Sequence, residues 1–307
     1  MIRFLPIYKQ AIWGGTRFVS EFGRRVPTAA DTDSIAESWE LVDLEGTESR
    51  VARGPLEGKT LGELWRSGVI GGSARGAFPF LLKWLDTRDK LSVQVHPDAE
   101  AVKKLGVGAP KSEAWYIAEA DAGAWLLLGH YPGLDPATLR QAATGGTIAK
   151  WLYEVRPRLG DMYSVPAGML HALGAGLLIL EVQQPSDSTY RLYDWGRTGP
   201  DGEPRPLHLD ESCVAVAYAR SGTPKAEREK VAGPSFAMRV LRSGTEPPSS
   251  ALRVFVAENG PLKLSSARGD EVLDYGDVVV AEVADGPVRV ATGTCLLLTE
   301  PSAEASA

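Results

Sequence analysis

Cysteine is scarce: Cys213 and Cys295 are the two in 307 residues, each in an apolar setting. Buried free thiols are expected, and neither a disulfide framework nor a thiolate metal site. Positive charge is not in excess either, since 33 Lys and Arg face 39 Asp and Glu for a net charge of -6. That balance excludes the basic footprint of a nucleic-acid or anionic-membrane binder. An anionic substrate must then be gripped by individual Arg or Lys side chains. No stretch approaches the ~20 apolar residues of a membrane span. The opening Met-Ile-Arg-Phe-Leu-Pro shows no small-residue cleavage pattern. A cytoplasmic protein acting as a monomer or small homo-oligomer is expected.

Long helical periodicity is also largely missing. Short apolar runs separated by Gly, Pro and Asp clusters point instead to an all-β sandwich or barrel. Strands are expected over 38–42, 80–85, 91–96, 113–118, 124–128, 177–183, 253–257 and 278–283. Short helices are expected over 60–66 and 99–105, and a longer one opening at Asp135-Pro136, an N-cap acid before a proline. The charged, proline-bounded stretch 221–234 reads as a linker between a first domain, 1–220, and a smaller β domain, 235–300. Gly276-Asp277-Val278 echoes Gly160-Asp161-Met162, so the two units are candidate copies of one architecture.

Four histidines invite individual scrutiny. His96 ends Leu91-Ser-Val-Gln-Val-His96. Strand alternation puts Leu91, Val93 and Val95 on a core face and Ser92, Gln94 and His96 on the other. Read alone, His96 is either a hydrogen-bonded strand-end histidine or, with Gln94, half of an ion site. His171 closes Gly160-x5-Pro166-x-Gly168-x2-His171, where Gly and Pro set turns that deliver the imidazole onto the next strand. This resembles the second motif of the cupin superfamily, whose histidine is a metal ligand. Glu113, in Lys111-Ser-Glu113, would be the cupin carboxylate, although its gap from His96 is wider than usual. His130 and His208 match no motif and are expected in loops or at the surface.

Trp13-Gly-Gly, Ala36-Glu-Ser-Trp39, Leu91-Ser-Val-Gln-Val-His-Pro-Asp98, Lys111-Ser-Glu113, the His171 motif and Ser186-Asp-Ser-Thr-Tyr-Arg191 follow in order. The series resembles the type I mannose-6-phosphate isomerases in their short bacterial form, over roughly residues 5–200. The resemblance implies a mainly β, jelly-roll cupin sandwich with a few short helices and a second, smaller β domain. It also implies one Zn²⁺ on Gln94, His96, Glu113 and His171, a catalytic Arg191, and Glu181 and Lys111 at the active site. The partner implied is a small sugar phosphate. Two departures concern its phosphate: Ser-Asp-Asn is here Ser186-Asp187-Ser188, and Gly-Gly-Leu-Thr-Pro-Lys is replaced by the segment from Tyr193 to Arg197. Arg197 is the expected phosphate contact, with Ser92 as a secondary donor. Asp187 joins them as a substrate contact, or else pairs with Arg191. Two rivals share the scaffold: a ferrous dioxygenase on His96, Glu113 and His171, and a sugar-binding regulatory cupin without turnover.

Overall fold

The computed structural model describes residues 1–26, 35–71, 76–199, 202–242, 244–246 and 252–301. The chain is mainly β. Eleven strands of its first part are named here: β1 Ile7–Lys9, β2 Glu37–Leu41, β3 Leu81–Thr87, β4 Val93–Val95, β5 Glu113–Ala120, β6 Leu126–His130, β7 Leu152–Val155, β8 Met162–Val165, β9 His171–Leu173, β10 Leu177–Gln183 and β11 Tyr190–Tyr193. They form two antiparallel sheets in the orders β1-β2-β3-β10-β5-β8 and β11-β4-β9-β6-β7.

The central strands are apolar on both faces because both faces are covered. In β10, Leu178, Leu180 and Val182 enter one core, while Leu177 and Ile179 enter another between the two sheets. Glu181 and Gln183 share the second face by the two-residue period. The outer face of the second sheet is closed by helices Pro136–Thr144 and Leu209–Ala215, which trap Val93, Val95, Leu139 and Ala215. A one-residue slip would exchange these faces, so the pattern pins the register.

Further along, Lys230–Ala232, Ala237–Leu241, Cys295–Thr299, Val254–Ala257 and Val278–Val280 form a five-stranded sheet. It is backed by a four-stranded sheet that includes Leu262–Ser266 and Val288–Thr292. Phe236, Val254, Leu296 and Leu298 share one apolar cluster with Trp84, Tyr116 and Leu180 of the first sheet. Trp84 also donates its indole N–H to the Gly276 carbonyl at 3.1 Å. The echo in sequence is an echo in structure. Gly160 and Gly276 have φ of 84° and 82°, a region open to glycine. In each turn the following Asp accepts from a backbone N–H three residues earlier, Arg158 at 2.8 Å and Asp274 at 3.1 Å.

Several local expectations need revision. The strand expected over 91–96 runs only Val93–Val95, so alternation stops short of Leu91, which packs between the sheets instead of with Val93 and Val95. His130 is buried, at 2% exposure, and its Nδ1 meets the Tyr131 carbonyl at 2.9 Å. Cys213 is half-buried whereas Cys295 is buried, and neither is in a disulfide among the described residues. The helices behave as their caps require. Thr60 and Glu63 form a capping box before Leu61–Arg66, and Asp98 and Asp135 cap Ala99–Leu105 and Pro136–Thr144. Among the described residues no helix is long and apolar enough to cross a membrane.

Trp84 is fully buried where the two pairs of sheets meet. Trp84→Ala is expected to cost about 3–5 kcal/mol in urea unfolding, through lost burial and the cavity left behind.

Candidate metal centre and active site

Glu113 opens β5, paired on one side with Gln183 of β10 and on the other with Val165 of β8. Its carboxylate therefore projects between the sheets, where it is 2% exposed. From the facing sheet, β9 sets His171 opposite Gln94 of β4, and β11 sets Arg191 on the other side of Gln94. His96 lies one residue beyond β4. The Pro166–Gly168 turn is fastened to it, since the Gly168 N–H donates to the His96 carbonyl at 2.8 Å. Gly168 has φ 85°, so the turn favours glycine. The Lys111 N–H donates to the Pro97 carbonyl at 3.0 Å, which seats Lys111 in the same space.

The side chains converge. Glu113 lies 3.1 Å from His96 Nε2, 3.5 Å from His171 Nε2 and 3.0 Å from Lys111 Nζ. One ligand atom from each of His96, Glu113 and His171 fits within 4.8 Å of the others, all three residues buried. Gln94 Nε2 is 3.2 Å from His171 Nε2. Turned about its last bond, the Gln94 amide offers Oε1 at the same place. The far ring nitrogens are fixed by backbone carbonyls: His96 Nδ1 by Ser188 and His171 Nδ1 by Met169, each at 2.9 Å. An Nδ1–H held in this way leaves Nε2 as the lone-pair nitrogen, the form a metal takes.

Electrostatics keep both rings neutral. Burial, then the Lys111 charge, pushes His96 down to about 3, and burial lowers His171. Glu113 moves the other way for an acid: burial would raise it, but Lys111, His96 and His171 together hold it well below the usual range. Glu181 is raised by burial and by the charge of Glu113. Its Oε2 accepts from Trp115 Nε1 at 3.0 Å, while Oε1 is 3.2 Å from Lys83 Nζ and 3.8 Å from Lys111 Nζ. Lys83 also reaches Glu37 at 3.1 Å.

The result is an alternating row, Glu37–Lys83–Glu181–Lys111–Glu113, with three acids against two lysines. One carboxylate is in surplus beside two neutral imidazoles, and an uncompensated buried charge is costly. A divalent cation among Glu113, His96 and His171 would offset it, so the residues fit a metal by charge as well as by donor type.

A cleft of about 390 Å³ opens beside this row. Ser92, Gln94, Lys111, Glu181, Asp187 and Arg191 all line it. Arg197 is not on its wall: its guanidinium is taken by Asp194 at 2.7 Å and Asp89 at 3.2 Å. Arg191 donates through Nη1 to the Pro206 carbonyl at 2.8 Å, and its backbone N–H donates to Nδ1 of His208, at the start of helix Leu209–Ala215. Lys83 and Arg205 line the cleft without having been singled out by sequence, as do Trp13 and Glu37, which stood in the sequence only as motif positions with no role. For Lys83 a signal existed: a lysine inside Phe-Leu-Leu-Lys-Trp-Leu must be paired if that strand is buried.

Lys83→Met removes the cation between Glu37 and Glu181 and takes from the buried Glu181 carboxylate its partner at 3.2 Å. A loss of roughly 3–5 kcal/mol is expected in urea unfolding at neutral pH.

The comparisons agree with this geometry. Residues 1–121, which hold Gln94, His96 and Glu113, match the family model Phosphomannose isomerase type I, catalytic domain. The mannose-6-phosphate isomerase of Streptococcus mutans is 39% identical over 223 residues, covering 70% of this chain and 69% of that one. The probable mannose-6-phosphate isomerase GmuF of Bacillus subtilis is 37% identical over 214 residues, 69% of this chain. That match spans 66% of GmuF, just under two thirds of its length. The crystal structure of the mannose 6-phosphate isomerase from Bacillus subtilis superposes with a TM-score of 0.84 at 30% identity, covering 98% of this chain and 99% of that one. A buried carboxylate and two buried imidazoles, set in a doubled β-sandwich with these relatives, make the chain a member of the type I phosphomannose isomerase family.

Proposed function

We propose that the protein interconverts mannose 6-phosphate and fructose 6-phosphate by moving a proton between C1 and C2 through an enediol. The observation that carries this reading is a buried acid–lysine row that starts on the cleft wall at Glu181 and Lys111 and runs through Glu113 into a buried cluster of metal-donor side chains. The reaction needs a base for a weakly acidic C–H proton and positive charge for the enediolate oxygen. Zn²⁺ suits Gln94, His96, Glu113 and His171, and when bound it would supply Lewis acidity toward the sugar oxygens.

The chain's own residues do the rest. Glu181 Oε1, poised between Lys83 and Lys111, takes the proton from one carbon and returns it to the other. A carboxylate raised by burial is a stronger base than one in water. Lys111 Nζ stands between Glu181 and Glu113, placed to stabilise the charge that moves along the row. Arg191, on the cleft wall, offers its guanidinium to the enediolate oxygen. Trp13, Trp115 and Leu173 wall the cleft with apolar surface and restrict water around the intermediate. Ser92 and Asp187 remain candidates for the sugar hydroxyls.

A coupled assay with mannose 6-phosphate is expected to show turnover that a chelator abolishes and Zn²⁺ restores; no turnover in the metal-loaded protein refutes the reading. His171→Ala is expected to lose most bound metal by elemental analysis. Arg191→Ala is expected to retain it while kcat falls about 10²–10³-fold. Glu181→Gln, also with metal retained, is expected to lower kcat about 10²–10⁴-fold. A normal rate in either variant removes that residue from the mechanism.

A further inference from the structure

The segment that follows Arg191 gathers two more guanidiniums around a single acid. Asp194 is 5% exposed and receives Arg205 through Nε at 2.7 Å and through Nη2, together with Arg197 Nη2 at 2.7 Å. The two arginines are not equivalent. Arg197 spends its remaining donors on Asp89 and on the carbonyls of Lys90 and Asp194, outside the cleft. Arg205 lines the cleft, and its Nη1 has no acceptor among the described residues.

Beside it on the same wall, Arg191 Nε is buried with no hydrogen-bond partner. Burial, then the charges of Arg205 and Arg197, lowers the Arg191 pKa, which marks a place where cations crowd. Asp187 also lines the cleft, but it is exposed and pairs with none of the three among the described residues. A wall with unspent guanidinium donors and one acid already fully engaged is built for an anion. Planar guanidinium forks match phosphate oxygens better than an ammonium does.

We infer that Arg205, held in place by Asp194, takes the phosphoryl group of the sugar phosphate and so sets the preference for phosphorylated over free sugar. This assignment rests on the isomerase reading. It gives Asp194 a positioning role and Arg197 the task of anchoring Asp194 from outside the cleft.

The test uses the metal-loaded protein. Arg205→Gln is expected to raise KM for mannose 6-phosphate roughly 10- to 100-fold, as loss of a charge-assisted hydrogen bond predicts, with kcat within about threefold. Inorganic phosphate, titrated by calorimetry into the metal-loaded protein, is expected to weaken by a similar factor. Arg205→Lys keeps the charge but loses the fork to Asp194 and is expected to fall between wild type and Arg205→Gln. Asp194→Asn is expected to move KM and phosphate affinity together in the same direction, a pairing that general loosening of the fold does not produce when kcat holds. Unchanged KM and unchanged phosphate affinity in Arg205→Gln overturn the assignment; if that variant does not fold, the same result in Arg205→Lys does so. A wild type that binds phosphate through Arg205 yet turns over no mannose 6-phosphate fails the isomerase reading alone.

Discussion

One buried carboxylate organises this protein. Glu113 sits between two sheets where water does not reach, and a charge in that position demands partners. Lys111 supplies one, at 3.0 Å, and two imidazoles stand ready to share a cation with it. Everything else in the row follows from that demand. Lys111 draws Glu181 close, Glu181 needs Lys83, and Lys83 is balanced in turn by Glu37. The site is therefore a chain of mutually dependent charges, in which the acid at one end is held ionised and the next acid is raised toward the range of a useful base.

The scaffold makes such a row affordable. Strands β3, β5 and β10 are apolar on the face turned away from the site, and the strands beyond 230 cover that face with Phe236, Val254, Leu296 and Leu298. None of the residues lining the cleft comes from those later strands. They contribute by burying the back of the six-stranded sheet and by accepting the Trp84 indole N–H. A rigid back wall holds the registers of Glu113, Glu181 and Lys83, and side chains that must meet in one site have to be held to within a fraction of an ångström.

Much of the site was legible because its motifs combine backbone and side-chain demands. The Gly160–His171 spacing encodes a turn with positive φ, a second turn with positive φ at Gly168, and a strand start. Few structures satisfy all three. Gln94 and His96 were legible from a two-residue period, which held for Val93 and Val95 but not for Leu91, because the strand begins after it. Arg197 shows the limit of reading by proximity. It is close to Arg191 in sequence, yet an acid three residues before it claims its guanidinium, and Arg205 stands on the cleft wall instead.

Sequence alone thus marked several of the central strands, among them 80–85, 113–118 and 177–183, and the residues that carry donor atoms. Tertiary structure decided which polar side chains face one another: Lys83 with Glu181 across β3 and β10, His171 with Gln94 across β9 and β4, and Arg205, on the cleft wall, with Asp194. Turns and alternation are local consequences of backbone sterics, written into neighbouring residues. The pairing of buried charges depends on sheet order and register, and these emerge only when distant strands compete for the same core.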